Sequence, residues 1–312
     1  MATSETAARR AGFLFTAPAL LLTFLILLLP IMVATTLSFT NYSLGNSGFQ
    51  WIGLDNYERI FTRRKFEKML WATGIYVAVV VPISLALGLG AALLITSVRR
   101  FGDFYKTIYF LPVMAALLAM AIVWEFALHP TIGIVNEILE SGCAIASLRW
   151  WGWYDYGCEE GFPLWLGDKE YALGVVCFVG IWQSFGFNMV LYLAGLTSIP
   201  RELYNAAEMD GARTAWDRFR LVTWPMLGPT TVFVITITSI RSFQVFDIVE
   251  AFYPIGAGPA RSAFVAMFAI FETGVQQNLV GLGASITVVF LAFIMVLTLI
   301  LQRGVERKVH YA

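Results

Sequence analysis

Residues 171–196, YALGVVCFVGIWQSFGFNMVLYLAGL, and residues 199–229, IPRELYNAAEMDGARTAWDRFRLVTWPMLGP, are near neighbours in the chain and demand different solvents. The first stretch has no Asp, Glu, Lys or Arg, and it exceeds the ~20 apolar residues that a helix needs to cross the hydrocarbon core of a bilayer. Its apolar side chains fall on every face rather than on one stripe, so lipid or other spans must surround it. The second stretch is polar. Pro200 followed by Arg201, Glu202 and Leu203 is a helix start, since proline fits the first turn and an early acid suits its partial positive charge. Gly211 interrupts that helix and permits a sharp turn into a second one, which carries Trp216, Phe219, Leu221 and Val222 and is expected to stop before Pro225. A short helix-turn-helix lying against one membrane face is therefore expected between two spans.

Working outward, six stretches are long and apolar enough to cross, near residues 13–37, 70–97, 106–128, 171–196, 221–246 and 281–302. The expected fold is an all-α membrane protein with about six transmembrane helices in one domain. Composition agrees: of 312 residues, 58% are apolar and only 13% charged, where a soluble domain carries about 25% charged residues. The formal net charge of zero gives no case for a nucleic-acid partner. Arg9 and Arg10 precede the first apolar run as in a secretory signal, but the run from Phe13 to Leu37 is too long for a signal's apolar core and reads as a retained span.

Lys and Arg are more numerous in the loops on the side of the N-terminus and of residues 199–229, which places both termini and that loop in the cytoplasm. The dissenting cluster from Arg59 to Lys68 is interspersed with Tyr57, Phe61, Phe66 and Leu70 and reads as an amphipathic helix on the outer interface. The outer segment 129–170 holds Trp150, Trp151, Trp153, Tyr154, Tyr156 and Trp165, an interfacial aromatic belt or a small packed cap. Cys143 and Cys158 share that segment and are candidates for a disulfide if it faces an oxidising compartment. Cys177 falls within a span and reads as a packing residue. His129 and His310 have no companions at ligand spacing, so no metal site is expected. The glycines at 88, 90 and 102 suit close helix approach or a turn rather than a phosphate cradle.

The loop at 199–229 resembles the coupling segment of binding-protein-dependent ABC importer permeases of the maltose and glycerol-3-phosphate type. Its signature is E-A-A, three residues, G, and later I-x-L-P. The matching residues are Asn205, Ala206, Ala207, Asp210, Gly211, Ala212, Phe219, Val222 and Pro225, with Asn205 where the family has Glu. The likeness extends over nearly the whole chain. FQWIGLDNYERIF (Phe49 to Phe61) is similar to the family's F-x-G-L-x-N-Y entry to the second span. IYFLPVMAALLAMAIVWEFALHPTIGIVN (Ile108 to Asn136) is similar to its third span with the following G-x-x-N. FQVFDIVEAF from Phe243, with GAGP at 256–259, is similar to the first-partner subunit's F-D-x-x-Y-x-L-T-x-G-G-P, with Glu250 in place of Tyr.

The resemblance implies a type I ABC importer permease bundle that assembles with a second similar permease, two ATPase subunits and a periplasmic or extracellular solute-binding protein. It also implies that the helix pair docks on the ATPase. The chain has no G-x-x-x-x-G-K-[ST] loop, so it is expected to bind no cofactor, with ATP and Mg on the partner ATPase and no catalytic residue of its own. Candidates for contact with a sugar-like solute are Gln183, Asn188 and Tyr192 in the fourth span and Thr238, Ser242 and Gln244 in the fifth; each suits an interhelical hydrogen bond equally well. Arg241 either holds an anionic or polyhydroxylated solute, or snorkels outward or pairs with Asp247 or Glu250. The rival classes are an ion-coupled secondary transporter, which needs intramembrane carboxylates, and a membrane-embedded enzyme, for which Asp210 with Glu208 is the only close acidic pair on the inner side.

Overall fold

A computed structural model describes residues 2–46, 48–98, 100–143 and 163–306. Among them the regular structure is helical, relieved by one isolated bridge between Thr40 and Trp51. Five helical segments are long and apolar enough to cross a membrane, and a bent pair makes a sixth. The chain divides into two units, residues 1–66 with 269–292 and residues 67–268 with 293–312.

In the first unit, α1 (Ala2–Thr23) continues through a π-helical turn at Phe24–Leu28 into α2 (Leu29–Leu37). Phe13, Leu20, Ile26 and Met32 are all exposed along it, as a helix in contact with lipid tails requires. The chain then folds back through residues 38–54 into α3 (Asp55–Thr62). Asn56 holds this return together. Its buried Nδ2 donates to Ser38 O at 3.0 Å and Thr40 O at 2.8 Å, and the neighbouring Tyr57 hydroxyl meets Ser38 Oγ at 2.7 Å. The same loop is pinned to the segment at 278–281, with Leu44 N–H donating to Asn278 O at 3.0 Å and Gly281 N–H to Tyr42 O at 2.8 Å. Lys65 pairs with the buried Glu272 at 2.6 Å. The amphipathic helix expected from Arg59 to Lys68 is divided: α3 ends at Thr62, Arg63 is extended with ψ 127°, and a new helix starts at Arg64.

The second unit is built on α4 (Arg64–Ser97), α5 (Gly102–Met114), α6 (Leu117–Ala127), α7 (Ile134–Cys143) and α8 (Ala172–Thr197). The single helix expected over 106–128 is in fact two, α5 and α6, bent by 99°. Pro112 lies within α5 rather than at the break: Ala115 N–H still donates to Leu111 O at 3.2 Å, and the helix ends where Ala115 (ψ 140°) and Ala116 (ψ 122°) become extended. The residues on either side of the break are apolar, so hydropathy alone does not show it.

α8 is the axis of this unit, with α5 and the later span at 228–243 packed along it. A Cβ at Gly186 would collide with the Tyr109 carbonyl of α5, and one at Gly195 would lie 2.6 Å from Thr230 Oγ1. Between these contacts, Asn188 is wholly buried, donating to Ser84 Oγ of α4 at 3.2 Å and accepting from Thr238 Oγ1 at 2.7 Å. Close backbone approach and hydrogen bonding are what hold spans together where lipid removes the hydrophobic drive between them. Gly88 of α4 lies against this point, its Cβ position 2.8 Å from Asn188 Cβ.

Replacing Gly186 with Val should push α5 off α8 and destabilise the protein by about 1–3 kcal/mol, read as a lower thermal midpoint in detergent. Asn56→Ala, which leaves two buried carbonyls unpaired, should lower the midpoint by a similar amount; an unchanged midpoint would show that the return loop is held by other contacts.

Candidate functional site

After α8 come α9 (Arg201–Met209), α10 (Ala215–Arg218), a π-helical turn at Phe219–Thr223, α11 (Trp224–Met226), α12 (Gly228–Phe243) and α13 (Asp247–Phe252). Pro200 is the extended residue before α9 (ψ 137°) and Glu202 sits in its first turn. At the other end Gly211 adopts φ +96°, a conformation that strains any residue with a Cβ. Gly211 N–H donates to Glu208 O at 3.2 Å and Ala212 N–H to Ala207 O at 2.9 Å, so the last carbonyls of α9 are satisfied by a left-handed cap. Ala207 and Ala212, on either side of that cap, are both buried. Thr214 and Asp217 then form a reciprocal capping box: Asp217 N–H donates to Thr214 Oγ1 at 3.1 Å and Thr214 N–H to Asp217 Oδ2 at 2.9 Å. The side-chain hydrogen bond from Thr214, then the backbone one, hold the Asp217 carboxyl below its usual range. Arg218 pairs with Glu208 at 3.2 Å and the Tyr204 hydroxyl meets Thr223 Oγ1 at 3.1 Å, tying the two limbs together.

The candidate coupling residues therefore divide by direction. Ala207 and Ala212 face inward and join a buried cluster with Met189, Tyr192, Leu193, Val222 and Leu227, which seats the loop on the spans. Asn205, Ala206 and Asp210 face outward with Met209, which is 89% exposed. Phe219 stacks on Trp216 with ring centroids 5.5 Å apart. Pro225 lines a groove of about 410 Å³ with Leu203, Ala206, Asp210 and Leu221. The expectation that the second limb stops before Pro225 is corrected. The chain stays helical through Trp224 (φ −63°, ψ −46°), Pro225 occupies the first turn of the next segment, and Leu227 (φ −75°, ψ −5°) leads directly into α12. The wide turn at Phe219–Thr223 precedes the proline and absorbs its missing N–H, so Ala215 to Phe243 is one helical path of roughly 40 Å.

That path ends at a polar cavity of about 340 Å³. α12 stops at Phe243, Phe246 departs from helical geometry (φ −143°, ψ −57°) and α13 begins at Asp247. The cavity at this break is lined by Gln183, Ser184, Arg241, Ser242, Gln244 and Asp247, with Tyr76 and Val113 among its other walls. Of the candidate pathway residues, Gln183, Arg241, Ser242 and Gln244 come together here. The other three do not: Asn188 and Thr238 bond each other, and Tyr192 is buried beneath the coupling loop. The Arg241 guanidinium lies over the Phe187 ring, 4.1 Å from its centroid, and remains exposed. Ser184 had no signal of its own, since a lone serine in a span is common, whereas Asp247 was visible as the acid of the F-D motif and as a partner for Arg241 but not as a cavity residue. Cys177 is buried and free. Cys158 lies outside the described residues, and with it the proposed pair with Cys143.

A polar cavity within the spans is joined by one helical path to a loop that leaves Met209 and Asp210 exposed. The chain belongs to the binding-protein-dependent transport system inner membrane component family, whose model matches residues 84–311. It is accordingly the multi-pass inner-membrane permease of an ABC importer, paired with a second permease, with ATP hydrolysis on a separate subunit. Relatives include the sulfoquinovosyl glycerol transport system permease protein of Agrobacterium fabrum, 30% identical over 96% of this chain and 92% of that one. The lactose transport system permease protein of Rhizobium radiobacter is 31% identical over 84% of this chain and 82% of that one. In fold, the chain is similar to a subunit in the crystal structure of a bacterial ABC transporter involved in import of the acidic polysaccharide alginate, with a TM-score of 0.79, 21% identity, and coverage of 98% of this chain and 99% of that one.

Because no atom lies within 4 Å of a Cβ built at Gly211, replacing it acts through backbone strain, worth about 1–2 kcal/mol. Gly211→Val should leave membrane insertion intact while ATP hydrolysis by the reconstituted transporter no longer drives uptake. Gly211→Asn should retain more coupling. Full transport by the valine variant would remove the loop from the coupling route.

Proposed function

We propose that this permease carries a sugar-like solute into the cytoplasm by alternating access, with both termini and the α9–α10 loop on the cytoplasmic side. The cavity at the α12–α13 break, reached by the helical path from the coupling loop, is the observation that carries this reading. Gln183, Ser184, Ser242 and Gln244 offer amide and hydroxyl groups suited to hydroxyl-rich compounds, as lactose and sulfoquinovosyl glycerol are in the names of the relatives. Asp247 would accept two hydroxyl hydrogens, and Arg241, held flat by Phe187, would donate to an oxygen of either a neutral or an anionic solute.

ATP and Mg would bind the ATPase subunits and close them, and the loop would pass that closure to α12. The paired permeases would then rock between outward-open and inward-open packings. The second permease supplies the other wall of the route, so the cavity described here is one side of it. The family match, rather than the cavity's charges, argues against an ion-coupled reading.

The test is uptake in proteoliposomes holding both permeases, the ATPase and the binding protein, with the solute identified first by screening sugars against the binding protein. Gln183→Leu and Gln244→Leu should each raise the concentration of loaded binding protein giving half-maximal uptake, or lower the maximal rate, by about 10-fold. ATPase stimulation by empty binding protein should be unchanged. Normal uptake by both variants would place the solute route elsewhere.

A further inference from the structure

Away from the solute cavity, two grooves run together beside α4 and α5. The first, of about 440 Å³, is lined by Leu87, Gly90, Leu94, Tyr105, Tyr109 and Phe185 and has no charged residue in its wall. The second, of about 510 Å³, shares Ile95 and Val98 with the first and adds Thr96, Asp103, Lys106 and Thr197. Between residues 86 and 98 the rise along α4 is roughly 18 Å, so the lining passes from hydrocarbon in mid-span to a charged end where α4 finishes at Ser97 and α5 begins at Gly102. Thr197 closes α8 just before the coupling loop, which puts the charged end on that loop's side of the membrane.

We infer that these joined grooves bind one phospholipid with a zwitterionic amine headgroup, its acyl chain along Leu87, Gly90 and Leu94 and its headgroup at Lys106 and Asp103. The Lys106 ammonium suits the phosphate as a point charge. The Asp103 carboxylate, 2.8 Å from Lys106 Nζ and almost fully exposed, suits the headgroup ammonium and disfavours a headgroup of net negative charge. An amphiphile matches both parts, whereas a neighbouring transmembrane helix would match only the apolar one. A lipid wedged here would fill the space beside the α4–α8 packing from which the coupling loop departs.

The test uses the complete transporter in nanodiscs, with phosphatidylethanolamine carrying a photoreactive group on its acyl chain and labelled peptides mapped by mass spectrometry. The first span, Gly12–Leu37, which no other part of this chain buries, serves as the reference. Peptides covering residues 86–98 and 105–109 should be labelled above that reference. Gly90→Leu, whose new side chain starts in open space, should fill the groove and lower their labelling about tenfold, with labelling of the first span unchanged. Lys106→Ala should lower it as well, and the same probe on phosphatidylglycerol should label the groove less. The inference is overturned if groove labelling equals that of the first span, if it is indifferent to Gly90→Leu, if the phosphatidylglycerol probe labels it more strongly, or if a crosslinker at residue 90 captures the second permease.

Discussion

Lipid tails are as apolar as leucine, so spans in a bilayer gain little from merely meeting, and they must be held by how closely their backbones approach and by polar groups that need each other. In this protein that constraint falls on α8. Gly186 and Gly195 admit a carbonyl of α5 and a threonine of α12 where any larger residue would collide, and Asn188 completes the arrangement by bonding Ser84 and Thr238. Both candidate functional regions are anchored to this axis. Gln183 and Ser184 project from it into the cavity, and Met189, Tyr192 and Leu193 form the floor on which Ala207 and Ala212 rest.

The coupling loop shows how a short signature arises from physical requirements. The turn after α9 needs a residue free to take φ +96°, and Gly211 supplies it. The cap it forms places Ala207 and Ala212 on the same side, against the spans, where small side chains let the loop lie close. Residues between them point the other way, so the same few positions seat the loop and present Asp210 and Met209 outward.

The crossings were legible in the sequence because lipid demands long apolar runs, and the coupling loop because its polar helices interrupt two of them. The interruptions within apolar runs were not. Ala115 and Ala116 look like any span residues, and the proline at 225, which ordinarily ends a helix, is accommodated by the wider turn before it. Sequence reasoning also could not divide the polar span residues. Gln183 and Asn188 are both amides on one helix, five residues apart and on different faces; one opens on the cavity and the other is consumed by packing. Composition is identical in the two cases, and only the neighbours differ. Asn56 was visible as part of a motif, but its task of satisfying two carbonyls of a returning loop required the fold.

The helical path from Ala215 to Phe243 has a mechanical meaning. A linkage with a loose joint loses part of each stroke as backlash, and fuel can then be consumed without delivery. Here the Trp216 end and the cavity wall at Arg241 and Ser242 lie on one helical path with two soft points: the wide turn at Phe219–Thr223, clasped from the side by Tyr204, and Leu227, whose ψ of −5° parts α11 from α12. If the loop receives the push of the ATPase, the share of that displacement delivered at Arg241 and Ser242 is set by how stiff those two points are.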